Sequence, residues 1–205
     1  MPRLIKICGL TSLADARCAC AAGADLLGFI CYPPSPRYLA PEALRTLLAG
    51  LPPEVPRVGV FVNCPPAEML AVARHAGLTH LQCHGQESPA QLRELAPFTV
   101  LKAVALRTRA DLPGLATYAP WLLVADTPSS QHGGTGLVGD WGLAAAAARG
   151  YPLLLAGGLT PANVAAAIAA VDPAGVDVSS GIETRPGVKQ HDLLRAFISA
   201  ARSAP

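Results

Sequence analysis

The 205-residue sequence has few charged residues and few aromatic ones. Charged side chains make up 15% of the chain and aromatic ones 5%, whereas 51% of the residues are hydrophobic. A chain this apolar is not intrinsically disordered, and it can bury a substantial core. The net charge is only +2, and Lys and Arg form no cluster, so nothing in the composition indicates a nucleic-acid partner.

Long apolar runs and paired cysteine motifs are also missing. Gly, Pro, Arg or Asp interrupts the alanine-rich stretches before they reach membrane-spanning length, and the first ten residues do not resemble a secretory signal. The six cysteines show neither zinc-ligand spacing nor the pattern of a small secreted disulfide framework. We therefore expect a cytoplasmic protein with free thiols, no metal and no membrane partner.

The sequence does contain a regular alternation of short apolar runs and Ala/Leu-rich stretches. Eight runs predict strands: Arg3–Ile7, Leu26–Ile30, Arg57–Val62, His80–Cys83, Val100–Val104, Trp121–Ala125, Pro152–Ala156 and Gly175–Val178. Most are apolar throughout, which is typical of parallel strands covered on both faces. Other stretches predict helices: Leu13–Ala22, Pro41–Ala49, Ala67–His75, Ala90–Leu95, Gly142–Ala148, Ala162–Ala170 and Leu193–Ala201. Pro113 and Gly114 disfavour a regular helix over Thr108–Tyr118.

Eight strands that alternate with helices predict βαβ units with right-handed crossovers. A doubly wound open sheet and a closed barrel both fit this alternation. The regular spacing favours closure, and so does the lack of a Gly-x-Gly-x-x-Gly turn after the first strand. We predict an α/β fold in which residues 1–205 form a single (β/α)8 TIM barrel, at the short end of the usual length.

Reactive side chains follow several predicted strands, at the ends that face the active site of a barrel. Cys8 follows the first strand and Asp126 the sixth, so a thiol and a carboxyl group could exchange protons with a ligand between them. Cys8 could equally be a small buried hydrophobe, and Asp126 a turn cap. Gln82 and His84 close the fourth strand and could contact a polar ligand, although a satisfied structural histidine is the alternative.

Glycine-rich segments follow the seventh and eighth strands. Gly157 and Gly158 in one loop, and Ser180 and Gly181 in the other, would let main-chain N–H groups approach a phosphate. Two tight turns that simply need glycine are the alternative. Asp177 lies at the end of the eighth strand, beside the second loop.

Two further loops are candidates for ligand contact. Gly136 ends the segment Gly133–Gly136, which could add N–H donors or act as a lid. Arg37 follows several prolines that stiffen its loop, so its guanidinium could be presented to a carboxylate. A solvated surface arginine is the alternative.

A series of short motifs covers nearly the whole chain in order. They are Lys6–Thr11, Ala24–Phe29, Ser35–Tyr38, Val58–Asn63, Gln82–Gly85, Gly133–Gly136, Asp140–Trp141, Leu155–Pro161, Asp177–Glu183 and Pro186–Lys189. In this combination the chain resembles the phosphoribosylanthranilate isomerases of tryptophan biosynthesis.

The resemblance implies a (β/α)8 barrel enzyme that needs neither metal nor organic cofactor. Its reaction would be the Amadori rearrangement of N-(5-phosphoribosyl)anthranilate to 1-(2-carboxyphenylamino)-1-deoxyribulose 5-phosphate. By matched positions, Cys8 would be the general base, Asp126 the general acid, and Arg37 the residue that holds the anthranilate carboxylate. The phosphate would lie on Gly157–Gly158 and Ser180–Gly181. The partner would be this phosphosugar alone, and the chain could act as a monomer or a homodimer.

The chain departs from the family pattern at Gly139, where an aromatic residue is usual, and at Gln190, where Asp is common. Three other functions stay open on the residues alone. One is a different phosphosugar barrel, such as an epimerase, an aldolase or the bifunctional histidine/tryptophan isomerase, which generally carries Asp in place of Cys8. Another is a hydrolase that uses Cys8 with His84 and passes through a covalent thioester between Cys8 and the substrate. The last is a binding protein that kept the pocket and lost turnover.

Overall fold

The computed structural model describes residues 3–119, 121–126 and 141–205. Within these ranges eight parallel strands close into a barrel, each hydrogen-bonded to the next and the eighth to the first. The strands are β1 Leu4–Ile7, β2 Leu26–Ile30, β3 Arg57–Phe61, β4 His80–Cys83, β5 Thr99–Ala105, β6 Leu122–Asp126, β7 Leu153–Leu155 and β8 Gly175–Val178. The predicted (β/α)8 barrel is therefore confirmed, with every strand end within one residue of its predicted position.

Helices connect the strands on the outside of the barrel. They are α1 Leu13–Ala22, α2 Pro41–Ala49, α3 Pro66–Ala76, α4 Pro89–Arg93, α5 Trp141–Ala148, α6 Val164–Val171 and α7 His191–Ser203. Capping explains the predicted bounds of α1: the Ser12 hydroxyl accepts from the Asp15 N–H, and Gly23 ends the helix with a φ of 93°. No helix of the described residues has the length and apolar character to cross a bilayer.

The structure differs from the prediction at the bounds of three helices and in two further segments. Helix α4 ends two residues earlier than predicted, and α7 extends two residues further at each end. Helix α6 begins at Val164 rather than Ala162, because the Asn163 side chain accepts from the Thr160 N–H and donates to the Gly158 carbonyl, which holds this segment as a turn. Residues Arg109–Tyr118 form a 3₁₀ helix. After a short 3₁₀ helix at Ser180–Ile182, an unpredicted hairpin follows, with strands β9 Glu183–Arg185 and β10 Val188–Lys189.

The barrel interior is divided between apolar and polar layers. A cluster of aliphatic side chains packs inside the barrel: Leu26, Val58, Leu101, Ala103, Val124, Leu154 and Ala156. Because side chains alternate between the two faces of a strand, every second residue points into the barrel. Toward the C-terminal ends of the strands these inward-pointing residues are polar. Leu4, for example, packs against the aliphatic cluster, and Lys6 and Cys8 follow it on the same face. The polar and reactive side chains therefore lie at the C-terminal end of the barrel.

Candidate active site

A cavity opens at the C-terminal end of the barrel. Every predicted site residue within the described ranges lines it: Cys8, Arg37, Gln82, His84, Asp126, Gly157, Gly158, Asp177, Ser180 and Gly181. The barrel thus brings together side chains that are up to 173 positions apart in the sequence. The predicted contact at Gly136 lies outside the described residues, as does the departure at Gly139.

Cys8 lies on the cavity wall directly after β1. Its main-chain N–H donates to the Val178 carbonyl at 2.8 Å, which continues the β1–β8 ladder and fixes the direction of the side chain. The residue is only 7% exposed. Burial raises the pKa of the Cys8 thiol above its usual value, and the charge of the Lys6 ammonium opposes that rise.

Lys6 and Asp177 form an ion pair inside the barrel. The Lys6 Nζ donates to both Asp177 carboxylate oxygens, at 2.9 and 3.1 Å, and the Lys6 side chain has no exposed surface. Burial by itself would lower the pKa of Lys6, but the charges of Asp177 and Cys8 outweigh it and leave the pKa raised. The lysine is therefore a fixed positive charge beside the thiol at every physiological pH.

Gln82, His84 and Asp126 form a hydrogen-bonded chain across the cavity floor. Gln82 Nε2 lies 3.0 Å from His84 Nδ1, and His84 Nε2 lies 3.1 Å from Asp126 Oδ2. With the amide nitrogen donating to Nδ1, the proton of a neutral ring is on Nε2 and is donated to an ionised Asp126.

The same chain can also serve a protonated Asp126. The carboxylic acid would then donate to His84 Nε2, and the ring proton would move to Nδ1. Gln82 Oε1 is buried and has no hydrogen-bond partner among the described residues, so a rotated amide could accept that proton at no cost in other bonds. The arrangement therefore accommodates both protonation states that a general acid passes through.

Arg37 is held by a carboxylate that the sequence did not single out. Its Nε and Nη2 donate to Glu183 at 2.9 and 2.6 Å, and Lys189 Nζ donates to the same carboxylate at 2.7 Å. Burial would raise the pKa of Glu183, but the bond from Arg37 and the charge of Lys189 keep it lowered. Arg37 Nη1 has no partner among the described residues, so this side of the guanidinium remains available to a ligand anion.

The loops after β7 and β8 are in contact with each other. A Cβ added to Gly181 would lie 1.8 Å from the Leu159 carbonyl oxygen, so only glycine allows this approach. Gly157 and Gly158 both have positive φ, 85° and 64°. The two predicted phosphate loops thus form one continuous wall of main chain on the cavity.

Sequence reasoning missed three charged residues around the cavity: Lys6, Glu183 and Lys189. Each of them lies in a quoted motif, but no role was assigned to it. The available signal was a charged residue at an inward position of an otherwise apolar strand, as for Lys6 in Leu4–Ile7.

Comparisons with known proteins agree with this geometry. A family model described as N-(5'phosphoribosyl)anthranilate (PRA) isomerase matches residues 5–200. The N-(5'-phosphoribosyl)anthranilate isomerase of Desulforudis audaxviator is 47% identical over 204 residues, which cover 98% of each chain.

Solved structures are similar over the same length. A phosphoribosylanthranilate isomerase in complex with reduced 1-(o-carboxyphenylamino)-1-deoxyribulose 5-phosphate has a TM-score of 0.88 and 41% identity, covering 98% of each chain. A structure of monomers generated from the dimeric enzyme of Thermotoga maritima has a TM-score of 0.89 and 40% identity, covering 99% of this chain and 100% of that one. The chain therefore belongs to the N-(5'-phosphoribosyl)anthranilate isomerase family.

Proposed function

We propose that the chain converts N-(5'-phosphoribosyl)anthranilate to 1-(2-carboxyphenylamino)-1-deoxyribulose 5-phosphate in tryptophan biosynthesis, with Cys8 and Asp126 as the proton-transferring groups. The observation that carries this proposal is that the thiol after β1 and the carboxyl group at the end of β6 line one cavity. The solved relative with a reduced product bound indicates the ligand chemistry: an aromatic carboxylate, a sugar chain and a phosphate.

The first step opens the ribose ring. Asp126, protonated, delivers its proton to the ring oxygen while the bond from that oxygen to C1′ breaks, and the anthranilate nitrogen supplies the electron pair that forms an iminium ion. Asp126 leaves the step as a carboxylate. The His84 Nε2–H can then stabilise that charge, provided that Gln82 Nε2 donates to Nδ1.

The second step transfers a proton from carbon. The iminium ion acidifies the hydrogen on C2′, and the Cys8 thiolate removes it to give an enolamine. Tautomerisation of the enolamine to the ketone completes the rearrangement without any change in the overall oxidation level. The reaction is an internal redox exchange between C1′ and C2′, so the chemistry of these residues requires no external electron acceptor.

The two anionic ends of the substrate would be held at opposite sides of the reacting carbons. Arg37 would bind the anthranilate carboxylate through the side of its guanidinium that Glu183 leaves available. The main chain at Gly157–Gly158 and Ser180–Gly181 would bind the phosphate. Gln82 and Asp177 would contact the sugar between these ends.

The geometry is less favourable to a cysteine hydrolase. Both ring nitrogens of His84 are engaged, one with Gln82 and the other with Asp126, so the ring is not poised to activate Cys8. An isomerisation assay distinguishes an active enzyme from a protein that only binds the same ligand.

The decisive experiment is growth rescue of a tryptophan auxotroph that lacks this isomerase, together with an isomerisation assay on the purified protein. We expect rescue and turnover with the wild-type chain and neither with Cys8→Ala. Binding of the reduced product without any turnover by the wild-type protein would instead support the binding-protein alternative.

We further propose a cytoplasmic monomer or homodimer. The cysteines within the described residues are all free, as a reducing compartment keeps them, and the proposed base must itself remain a thiol. A relative is described as dimeric. Light scattering of the purified protein decides between the two states.

A further inference from the structure

Lys6 is buried in the barrel beneath the cavity, and the mechanism above gives it no task. Its side chain has no exposed surface, although the desolvation of an ammonium group is costly. Asp177 accepts two of its hydrogen bonds, which leaves one N–H of the ammonium for another acceptor. The position of this remaining N–H therefore matters for the function of Lys6.

The Cys8 thiol lies beside the Lys6 ammonium. A Cβ built on Gly28 would lie 2.7 Å from the Cys8 sulfur and 3.1 Å from Lys6 Nζ, so both atoms border the same small space on β2. Lys6 in β1 and Cys8 directly after it are two residues apart, so their side chains share the inner face of the barrel. The lysine therefore lies on the N-terminal side of the thiol, and the cavity lies on the C-terminal side.

Other charged groups face Cys8 from the elements packed around it, and each of them has a partner of opposite charge. Asp177 on β8 is paired with Lys6 itself. Lys189 on β10 and Arg37 in the loop after β2 both bind Glu183, and Lys189 also donates to the Ser179 carbonyl at 3.1 Å. Lys6 is the cation whose ammonium borders the same space beside Gly28 as the Cys8 sulfur.

We propose that Lys6 is a positioning residue of the isomerase reaction: its ammonium, oriented by Asp177, holds the Cys8 sulfur as a thiolate against the inner wall until it takes the proton from C2′. This inference rests on the proposed function, in which Cys8 is the base. The proton passes from carbon to sulfur, and Lys6 keeps all three of its own protons throughout.

The chain offers a matched control in Lys102. This lysine is also buried, at 3% exposure, and is paired with a buried carboxylate, Glu87, at 2.8 Å. Its other hydrogen bonds go to the carbonyls of Cys83 and Gly85, and it does not line the cavity. Removing either lysine perturbs a buried ion pair, but only Lys6 is near Cys8.

The test measures ionisation of Cys8 directly. The rate of Cys8 alkylation by iodoacetamide, followed on its peptide by mass spectrometry, is recorded against pH for the wild type, Lys6→Met and Lys102→Met. A Lys6→Met/Asp177→Asn double variant is measured as well, because it leaves no uncompensated buried charge if the single variant folds poorly. The isomerase pH profile is recorded for each protein.

We expect the midpoint of Cys8 alkylation to rise by about 1–3 pH units in Lys6→Met, the usual influence of a neighbouring opposite charge. The rise should be smaller in the double variant, because the lost Asp177 carboxylate itself raises the pKa of Cys8. The acidic limb of kcat should move upward with the midpoint, whereas KM changes little in Lys6→Met. Lys102→Met should leave both midpoints in place.

Two results would overturn the proposal: an unchanged alkylation midpoint in the Lys6 variants, or an equal shift in Lys102→Met. A third result separates this inference from the function on which it rests. If the alkylation midpoint shifts and the acidic limb of kcat does not follow, Cys8 is not the base, and the catalytic role of Lys6 fails with it.

Discussion

Three lysine–carboxylate pairs are buried among the described residues, and two of them, Lys6–Asp177 and Lys102–Glu87, differ in what completes them. Lys102 has its donors satisfied by Glu87 and by two main-chain carbonyls, and Glu87 in turn accepts from the Asn63 and Gly85 N–H groups. Lys6 instead donates two hydrogen bonds to Asp177 and lies beside the Cys8 thiol at the cavity.

The difference separates a structural pair from a functional one. A buried pair closed by the main chain presents no titrating group to the cavity, so it can only hold loops in place. The Lys6–Asp177 pair, in contrast, lies beside Cys8, a side chain that can lose a proton, so its charges can influence the chemistry of the cavity. The partners of a buried cation, more than its burial, therefore indicate what it does.

The largest expected effect separates the two cysteines beside these lysines. Cys8→Ala should lower kcat by about 10²–10⁴-fold, because the proposed base is lost, and should leave the free energy of unfolding nearly unchanged. Cys83→Ala is the control: Cys83 is 1% exposed and does not line the cavity, so kcat should persist. Equal losses of kcat in the two variants would show that the Lys6–Asp177 and Lys102–Glu87 pairs do not differ in function.

Breaking the structural pair should affect stability rather than turnover. Glu87→Gln leaves Lys102 buried without a counter-charge and should lower the free energy of unfolding at pH 7 by about 3–5 kcal/mol. Urea denaturation measures this change. Glu42→Gln serves as the control, because its ion pair with Arg45 is exposed and should contribute little.

The stability effect of Glu87 should also depend on pH. Burial alone would raise its pKa, but the hydrogen bond and the charge from Lys102 leave it below the ordinary value of 4.5. A carboxyl group whose pKa falls on folding contributes stability above its unfolded pKa, and this contribution disappears as the pH falls through the folded pKa. The difference between wild type and Glu87→Gln should therefore shrink below about pH 4.5; a difference that grows on acidification would contradict the assignment.

The smallest effect is expected from crowding the functional pair. In Gly28→Ala the new Cβ would lie 2.7 Å from the Cys8 sulfur and 3.0 Å from the Cys8 Cα, so the sulfur must move. Overpacking of this kind costs about 1–3 kcal/mol, and kcat should fall as the thiol is displaced. At Gly114 nothing lies within 4 Å of an added Cβ, so Gly114→Ala should change neither quantity.

Much of the fold could be predicted because each strand is a short apolar run with a clear end. The runs at β2, β4 and β8 match the structure at both ends. The start of α6 could not be predicted, because Thr160 and Pro161 look like a helix start, and only the Asn163 side chain, folded back onto Gly158, delays the helix.

The site was predictable to the extent that its residues lie at strand ends or in recognisable motifs. Cys8 and the glycine loops meet both conditions, and Asp126 meets the first. The partner of Arg37 was not predictable, because Glu183 is 146 positions away and reaches it only when the hairpin Glu183–Lys189 folds over the mouth of the barrel.

The sequence by itself determined which strands form, which side chains face inward, and which reactive groups stand at the C-terminal end of the barrel, because alternation along a strand is a local property. Tertiary structure alone decided the charge pairing: which carboxylate holds Lys6, which one holds Arg37, and how Gln82 orients His84 toward Asp126. The physical reason is that Coulombic and hydrogen-bond energies depend on distances across the closed barrel, and those distances do not exist until β8 pairs with β1.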